Sequence, residues 1–376
     1  MNTDLYKDRG LSGLINLGNT CFINSCMQIL SHTYELNHFL DQNIYKTRLQ
    51  NVCDSALLVE WDNLRKLMWS KNCTISPAKF IATIQQIAKL KGYDMFAEYS
   101  QNDLPEFLLF IINCFHTSLS REIQMTINGN PETETDKVAF QCFEMIKKTY
   151  STEYSEIWNL FYAVHVSEIT NLETDAKIKI IPEPYFMIDL PIPSNNRNPS
   201  LIDCFNHYVE GEILEGENAW HNEATKEKIN IRKKIQFWSF PNILVIVFKR
   251  FNGNFQKNTI NVSFSLDELD LSSYVIGYKK NIYKYELYGV CSHIGGVTGG
   301  HYIAYIKNAN AKWYMFNDHL VLEVENVNLI SLNAYVLFYR KKNIATDINT
   351  PIVDETITHL EDDNISTADI AENLTK

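Results

Sequence analysis

Two segments of the chain carry side chains that could do covalent chemistry together. In GLINLGNTCFINSCMQIL (13–30), Cys21 follows a turn containing Gly18 and opens an expected helix. A thiol at a helix start meets unpaired N–H groups and the positive end of the helix dipole, which favour the nucleophilic thiolate. In GGVTGGHYIAYIKNANAKWYMFNDHLV (295–321), His301 follows Gly299 and Gly300 and begins an expected strand. Glycines beside a reactive imidazole let a substrate backbone come close. The turn from Asn308 to Lys312 predicts a hairpin that returns Asn317 or Asp318 beside His301. Such a third group fixes the tautomer and orientation of the ring. Asn16, just upstream of Cys21, is placed to reach over the thiol and donate to a developing oxyanion. Each of these residues taken singly has a blander reading, since an intracellular cysteine is usually a small buried hydrophobe. Cys26 lies on an apolar stripe and keeps that reading, as do Cys53, Cys73, Cys114, Cys142, Cys204 and Cys291.

These side chains are far apart in sequence, so the fold must bring them together. Apolar positions Phe22, Cys26, Ile29 and Leu30 share one side of the helix after Cys21, with Thr20 or Asn19 as its cap. Residues 54–69 repeat Leu57, Leu58, Trp61, Leu64, Leu67 and Met68, an amphipathic helix. A further helix is punctuated by Ser76 as cap, Pro77 in the first turn and Gly92 at the end. Helices are also expected at 103–119 and about 136–149. The second half reads as antiparallel sheet, with strands in PYFMIDLPI, NILVIVFKRF, YKYELYGVCSHI, HYIAYIKN, KWYMFND and AYVLFYRK. In the last of these, Ala334, Val336 and Phe338 should face one way and Tyr335, Leu337 and Tyr339 the other. A helical front and a sheet-rich back predict an α+β enzyme with its cleft between the layers.

The chain has 376 residues, 45% hydrophobic and 12% aromatic, ample for a packed core. Its net charge of −11 makes it a poor nucleic-acid binder, because phosphates need a basic footprint, and suits a basic partner. Part of that charge is local: residues 341–376 carry eight acidic side chains against three lysines and read as a disordered acidic tail. Eight cysteines without C-x-x-C spacing do not make a disulfide scaffold. No apolar run approaches the roughly 20 residues of a membrane span, and residues 1–10 read as a short polar leader rather than a signal peptide. An intracellular location, in cytoplasm or nucleus, follows, with no membrane partner.

The first segment resembles the Cys box of the ubiquitin-specific protease family, and GGHYIAYIKNANAKWYMFNDHLV resembles its His box. Between them, YSQNDLPEFLLFI (99–111) is similar to the family's glutamine–aspartate box, YFMIDLPIP and FPNILVIVFKRF to its characteristic strands, and AYVLFYRK to its closing strand. The resemblance covers roughly residues 11–341. It implies a papain-like cysteine protease fold with a helical thumb (about 11–135) and a β palm and β fingers (about 136–341), followed by the tail at 342–376. It implies Cys21 as nucleophile, His301 as general base and Asn317 as third member, with Asp318 able to share that role and Asn16 as oxyanion donor. The implied reaction is hydrolysis of the bond after the C-terminal glycine of ubiquitin, through an acyl-enzyme and without a cofactor. Ubiquitin and ubiquitinated proteins would be the partners of a monomeric enzyme. Gln101, Asp103 and Glu106 match the glutamine–aspartate box, whose acids would meet arginines near ubiquitin's C-terminus. Gly299, Gly300, Tyr302 and the 293–300 loop would line a narrow channel for the Gly-Gly end.

The sequence departs from the family in two places. Many members hold zinc in the fingers through two C-x-x-C pairs; here the aligned positions are Asn171 and Thr174, then Asn222 and Thr225, none a plausible zinc ligand. No structural zinc is expected. The glutamine–aspartate box reads QND instead of QQD. Two rival readings remain at this stage: a catalytically dead ubiquitin-binding scaffold, and a peptidase for another modifier ending in Gly-Gly.

Overall fold

The structure is a computed structural model that describes residues 2–222, 226–251, 253, 256–296, 299–325 and 333–342. The tail expected at 342–376 lies outside the described residues from 343 on. Among the described residues, the helices in chain order are α1 (Cys21–Ser31), α2 (Tyr34–Asp41), α3 (Tyr45–Arg48), α4 (Asp54–Ser70), α5 (Ala78–Lys91), α6 (Leu104–Leu119), α7 (Glu134–Glu153), α8 (Glu156–Phe161) and α9 (Leu201–Val209). The strands are β1 (Gly13–Leu14), β2 (Thr74–Ile75), β3 (Ala163–Asn171), β4 (Lys177–Tyr185), β5 (Met187–Pro191), β6 (Glu212–Leu214), β7 (Trp220–His221) and β8 (Lys228–Ile229). They continue with β9 (Ile231–Phe237), β10 (Ile243–Lys249), β11 (Leu269–Asp270), β12 (Lys284–Gly296), β13 (Gly299–Lys307), β14 (Trp313–Asn317), β15 (Leu320–Glu323) and β16 (Ala334–Lys341).

The helical front and sheet-rich back expected from the sequence are both present. The large sheet runs β15-β14-β13-β12-β16-β10-β5, with β11 on β12, and a smaller sheet runs β4-β3-β9-β6. One pairing departs from the expected antiparallel pattern. β10 joins β5 in parallel, because the chain crosses through α9 and the small sheet before returning. The large sheet has a core on each face. One face packs Tyr302, Ala304, Ile306, Phe316 and Val336 against α1 and the other front helices. The other packs Leu244, Ile246, Val290 and Leu337 against α9 and the segment around Leu269–Tyr285. Burial on both faces explains why β10 and β16 read as nearly continuous apolar runs. In β16 the expected alternation holds from Val336 to Tyr339. It breaks at the start, where Tyr335 joins the face of Val336 and Ala334 the face of Leu337. A register shift against β12, between Cys291↔Val336 and Ser292↔Ala334, places the extra residue there.

Every residue of α1 is buried, polar side included. Asn24 and Gln28, one turn apart, face β1, donating to the Leu14 carbonyl (3.3 Å) and the Ser12 carbonyl (2.7 Å). Gly13 lies so close to the β14–β15 turn that a Cβ there would fall 2.1 Å from the His319 carbonyl oxygen. These contacts fix β1, and with it the loop carrying Asn16, between α1 and the turn carrying Asp318.

Several local expectations change. Thr20 stands at the cap position of α1 but its hydroxyl does not cap. It accepts from Leu17 N–H (3.0 Å) and donates to Asn16 Oδ1 (3.2 Å), while Asn19 donates to the Tyr99 carbonyl (3.0 Å). α5 begins one residue later than expected, with Pro77 rather than Ser76 at its cap; Gly92 closes it at φ +75°. Leu67, assigned to the apolar stripe of α4, is 56% exposed, because that stripe is narrower than its leucine content suggests. Residues 3–6, read as part of a leader, form a 3₁₀ turn whose Tyr6 stacks on Tyr34 at 4.3 Å and meets Trp69 edge-on.

Candidate active site

Cys21 is the first residue of α1 and is 4% exposed. With the hydroxyl of Thr20 turned into the preceding loop, no side chain caps the first turn of α1. Its leading N–H groups therefore remain available to negative charge at the sulfur. β13 brings His301 to this point, where its imidazole interacts with the Cys21 side chain. Its Nε2 lies 2.7 Å from Asn317 Oδ1, which leaves Nδ1 to serve the sulfur. The hairpin does what its turn predicted: β14 runs antiparallel to β13 and ends at Asn317.

Asn317 and Asp318 are thereby distinguished. Asp318 Oδ2 stands 4.0 Å from His301 Nε2, too far for a hydrogen bond. Its carboxylate is instead held by two amides, Asn24 Nδ2 on Oδ1 (2.8 Å) and Asn16 Nδ2 on Oδ2 (3.0 Å). Asp318 adopts a left-handed backbone (φ +49°) and its carbonyl accepts from Leu14 N–H (2.9 Å). It is the knot between α1, β1 and β14. Asn16 is exposed and fixed in orientation: Oδ1 accepts from Gly18 N–H, Thr20 N–H and the Thr20 hydroxyl. One amide N–H points to Asp318, which leaves the second for another acceptor.

The proton balance of the pair follows. His301 is raised from 6.5 to about 9, first by its hydrogen bond to Cys21; burial opposes this, and Asn317, the Cys21 charge and Asp318 add to it. The shift favours the imidazolium form of His301 at neutral pH.

A cavity of about 330 Å³ opens beside Cys21, lined among others by Phe22, Gln101, Asp103, His293, Gly300 and Tyr302. Gln101 grips the Gly300 backbone from both sides: Oε1 accepts from its N–H (3.2 Å) and Nε2 donates to its carbonyl (3.4 Å). A Cβ on Gly300 would sit 2.1 Å from His293 Nε2, so the closeness of this wall requires glycine. Gly299 is exposed at the strand start, with room for a Cβ 3.7 Å from Gln101. Asp103 accepts from the Tyr302 and Tyr335 hydroxyls, each at 2.9 Å, and so ties the start of α6 to β13 and β16. Burial raises its carboxyl against those hydrogen bonds. Both of its oxygens are thus engaged within the chain, whereas Glu106, in the first turn of α6, is exposed.

Asn24 and Lys257 were missed from the sequence, and His293 was read only as part of the 293–300 loop. Asn24 anchors Asp318, and its only signal was a polar pair at i, i+4 on an otherwise apolar helix. His293 is buried among Phe251, Tyr302 and Tyr335 and held neutral, lowered to about 4 by burial and then by Lys257 and His301. Lys257 donates to the carbonyls of His293 and Gly295, bracing the end of β12. At the positions aligned with zinc ligands, Asn171 Oδ1 accepts from Glu173 and Thr174 N–H, and Thr174 Oγ1 accepts from Ala176 N–H. Both close the β3–β4 turn. Thr225 lies outside the described residues. Among the described residues no three His, Cys, Asp or Glu side chains group to hold a metal.

A thiol at an uncapped helix start, paired with an imidazole whose far nitrogen is held by an amide, is the arrangement of a papain-like cysteine hydrolase. Within that class the family is specific. The model of the family described as ubiquitin carboxyl-terminal hydrolase matches residues 12–339, and the chain belongs to that family. It is 31% identical over 342 residues to ubiquitin carboxyl-terminal hydrolase Usp2 of Drosophila melanogaster, covering 89% of this chain and 35% of the relative. It is 32% identical over 344 residues to human ubiquitin carboxyl-terminal hydrolase 2, covering 88% of this chain and 55% of the relative. The chain thus spans about a third to a half of the length of these relatives. Among solved structures it resembles the SAGA DUB module Ubp8/Sgf11/Sus1/Sgf73 bound to monoubiquitin, with TM-score 0.67 and 25% identity over 90% of this chain and 70% of that one.

Proposed function

We propose that the chain is a thiol-dependent deubiquitinase that hydrolyses the thioester, ester or isopeptide bond after the C-terminal glycine of ubiquitin. The observation that carries this reading is the pairing of Cys21 with His301, whose Nε2 is held 2.7 Å from Asn317, at the mouth of a cavity walled by Gly300. The relatives named ubiquitin carboxyl-terminal hydrolase and a neighbour bound to monoubiquitin supply the substrate class. The thumb spans about 11–135, and palm and fingers about 136–341.

In this reading the Cys21 thiolate attacks the glycine carbonyl, with Asn16 and the first N–H groups of α1 donating to the oxyanion. His301, as imidazolium, gives its proton to the departing amine and then takes one from the water that hydrolyses the thioester. Asn317 keeps the ring oriented; Asp318 acts through Asn16. Gln101, Asp103, Gly299, Gly300 and Tyr302 shape the channel for the Gly-Gly end, and Glu106 meets basic groups of ubiquitin. The reaction needs no cofactor, and the enzyme acts as a monomer. An intracellular setting is supported by eight unpaired cysteines, and no helix of the described residues is long and apolar enough to cross a membrane.

The intact Cys21–His301–Asn317 geometry favours an active enzyme over a binding scaffold. The test is hydrolysis of ubiquitin carrying a fluorogenic C-terminal amide, beside the same amide on other Gly-Gly-ended modifiers. Turnover of ubiquitin by wild type and none by Cys21→Ala is expected. Preference for another modifier would transfer the reading to that modifier, and no turnover at all would favour the scaffold.

A further inference from the structure

The catalytic pair has two sides. On one lies the cavity bounded by Gln101, Tyr302 and Gly300, which takes the glycine end of the acyl group. The amine must leave on the other, past His301, Asn317 and Asn16. Among the described residues the strand order of the large sheet ends at β15, beside β14, which carries Asn317. In its register with β14, Leu320 lies opposite Asn317 and Leu322 opposite Met315. These four side chains therefore share one face of the sheet, while Val321 and Phe316 turn to the inner core. Leu320 is 40% exposed and Leu322 48%. Ile15, 39% exposed, follows Leu14, whose N–H bonds the Asp318 carbonyl, and so flanks the same turn next to Asn16. An exposed apolar edge strand is a liability that proteins normally blunt with charge. Apolar surface beside a reaction centre marks a place that something covers.

We propose that Ile15, Leu320 and Leu322 form a docking surface for the leaving group: a folded protein with apolar surface beside the lysine whose amine departs. The proposal rests on the deubiquitinase reading and adds the part of the substrate beyond the scissile bond. Its warrant is continuity. The apolar edge begins at the residue paired with Asn317 and extends away from the cavity, where the atoms after the scissile bond must lie. A partner seated there would bury three large aliphatic side chains beside the turn that follows Asn317. It would add binding energy for protein conjugates that a small leaving group cannot collect.

The test compares two substrates with the same acyl half: ubiquitin bearing a small aromatic C-terminal amide, and diubiquitin of the linkage that wild type cuts fastest. The variants are Leu322→Gln alone and Leu320→Gln with Leu322→Gln. For the double variant kcat/KM on diubiquitin should fall about tenfold, mostly through KM, while the small amide stays within about twofold of wild type. Leu322→Gln, away from Asn317, should show the same split with a smaller loss. Equal loss on both substrates would assign β15 only to positioning Asn317 and overturn the proposal, as would no loss on either. Failure of wild type to cut either substrate would instead remove the deubiquitinase reading, and is seen before any variant is made.

Discussion

Gly300→Ala should inactivate the enzyme while leaving it folded. The added Cβ would lie 2.1 Å from His293 Nε2, 2.8 Å from its Cε1 and 2.9 Å from the Ile294 carbonyl oxygen. Ordinary contact begins at 3.4 Å, so the chain must retreat by roughly an ångström. His293 cannot swing aside, because Phe251, Tyr302 and Tyr335 enclose it. Nor can Gly300 shift alone, because Gln101 holds its N–H and its carbonyl. The displacement therefore passes to the adjacent His301. A misplacement of about 1 Å at a reacting group costs about a hundredfold in rate. The strain itself should cost about 1–3 kcal/mol of stability. The assay is kcat/KM on the ubiquitin fluorogenic amide, with chemical denaturation alongside. Activity within about threefold of wild type would refute the argument, since the wall of the cavity would then have slack that the distances deny.

Further outcomes are expected. In wild type the His301 imidazole should titrate near 9, and in Cys21→Ala it should fall toward the ordinary 6.5 or below, because the largest raising contact is gone and burial remains; a proton NMR titration reads both, and an unchanged value would remove the pairing. Since the raised pKa keeps the acid form below it, turnover limited by amine departure should decline as pH rises through about 9. Asn317→Ala should lower kcat by about a hundredfold or more with little change in KM. Asp318→Ala should lower it less but cost about 1–3 kcal/mol in denaturant unfolding, because buried Asn24 loses one of its two acceptors; the reverse order in kcat would give Asp318 the orienting role. Asn16→Ala should reduce kcat on the order of a hundredfold through loss of an oxyanion donor, and a change confined to KM would contradict that role. Prolonged treatment with a strong zinc chelator should leave activity and melting unchanged; a loss restored by zinc would show that the small sheet holds metal after all.

Much of the arrangement is legible in the chain because local chemistry and tertiary role coincide there. Cys21 stands where a helix must begin, Gly299-Gly300-His301 where a strand must start, and the turn at Asn308–Lys312 returns the chain to Asn317. Apolar spacing places α4, α5 and α6, and Gly92 marks an ending that only a left-handed residue makes cheaply. What stays hidden depends on contacts between distant segments. Nothing local says that Thr20 spends its hydroxyl on Leu17 rather than capping α1. Asp318 looks interchangeable with Asn317 until the amides of Asn16 and Asn24 are seen to claim it. His293, a buried neutral ring, carries no sequence signal beyond its neighbours. The bulge that turns Tyr335 to the face of Val336 arises from pairing with β12, and the parallel union of β5 and β10 from a crossover; neither is written in the period of one strand.

The central claim is that Cys21 is the nucleophile that ubiquitin's C-terminal glycine reaches. It is tested most directly by treating the protein with ubiquitin carrying a thiol-reactive group in place of its last carboxylate, followed by peptide mapping of the adduct. One adduct per chain is expected, on Cys21 and absent from Cys21→Ala. An adduct on exposed Cys53 or Cys73, or labelling that persists in Cys21→Ala, would contradict it.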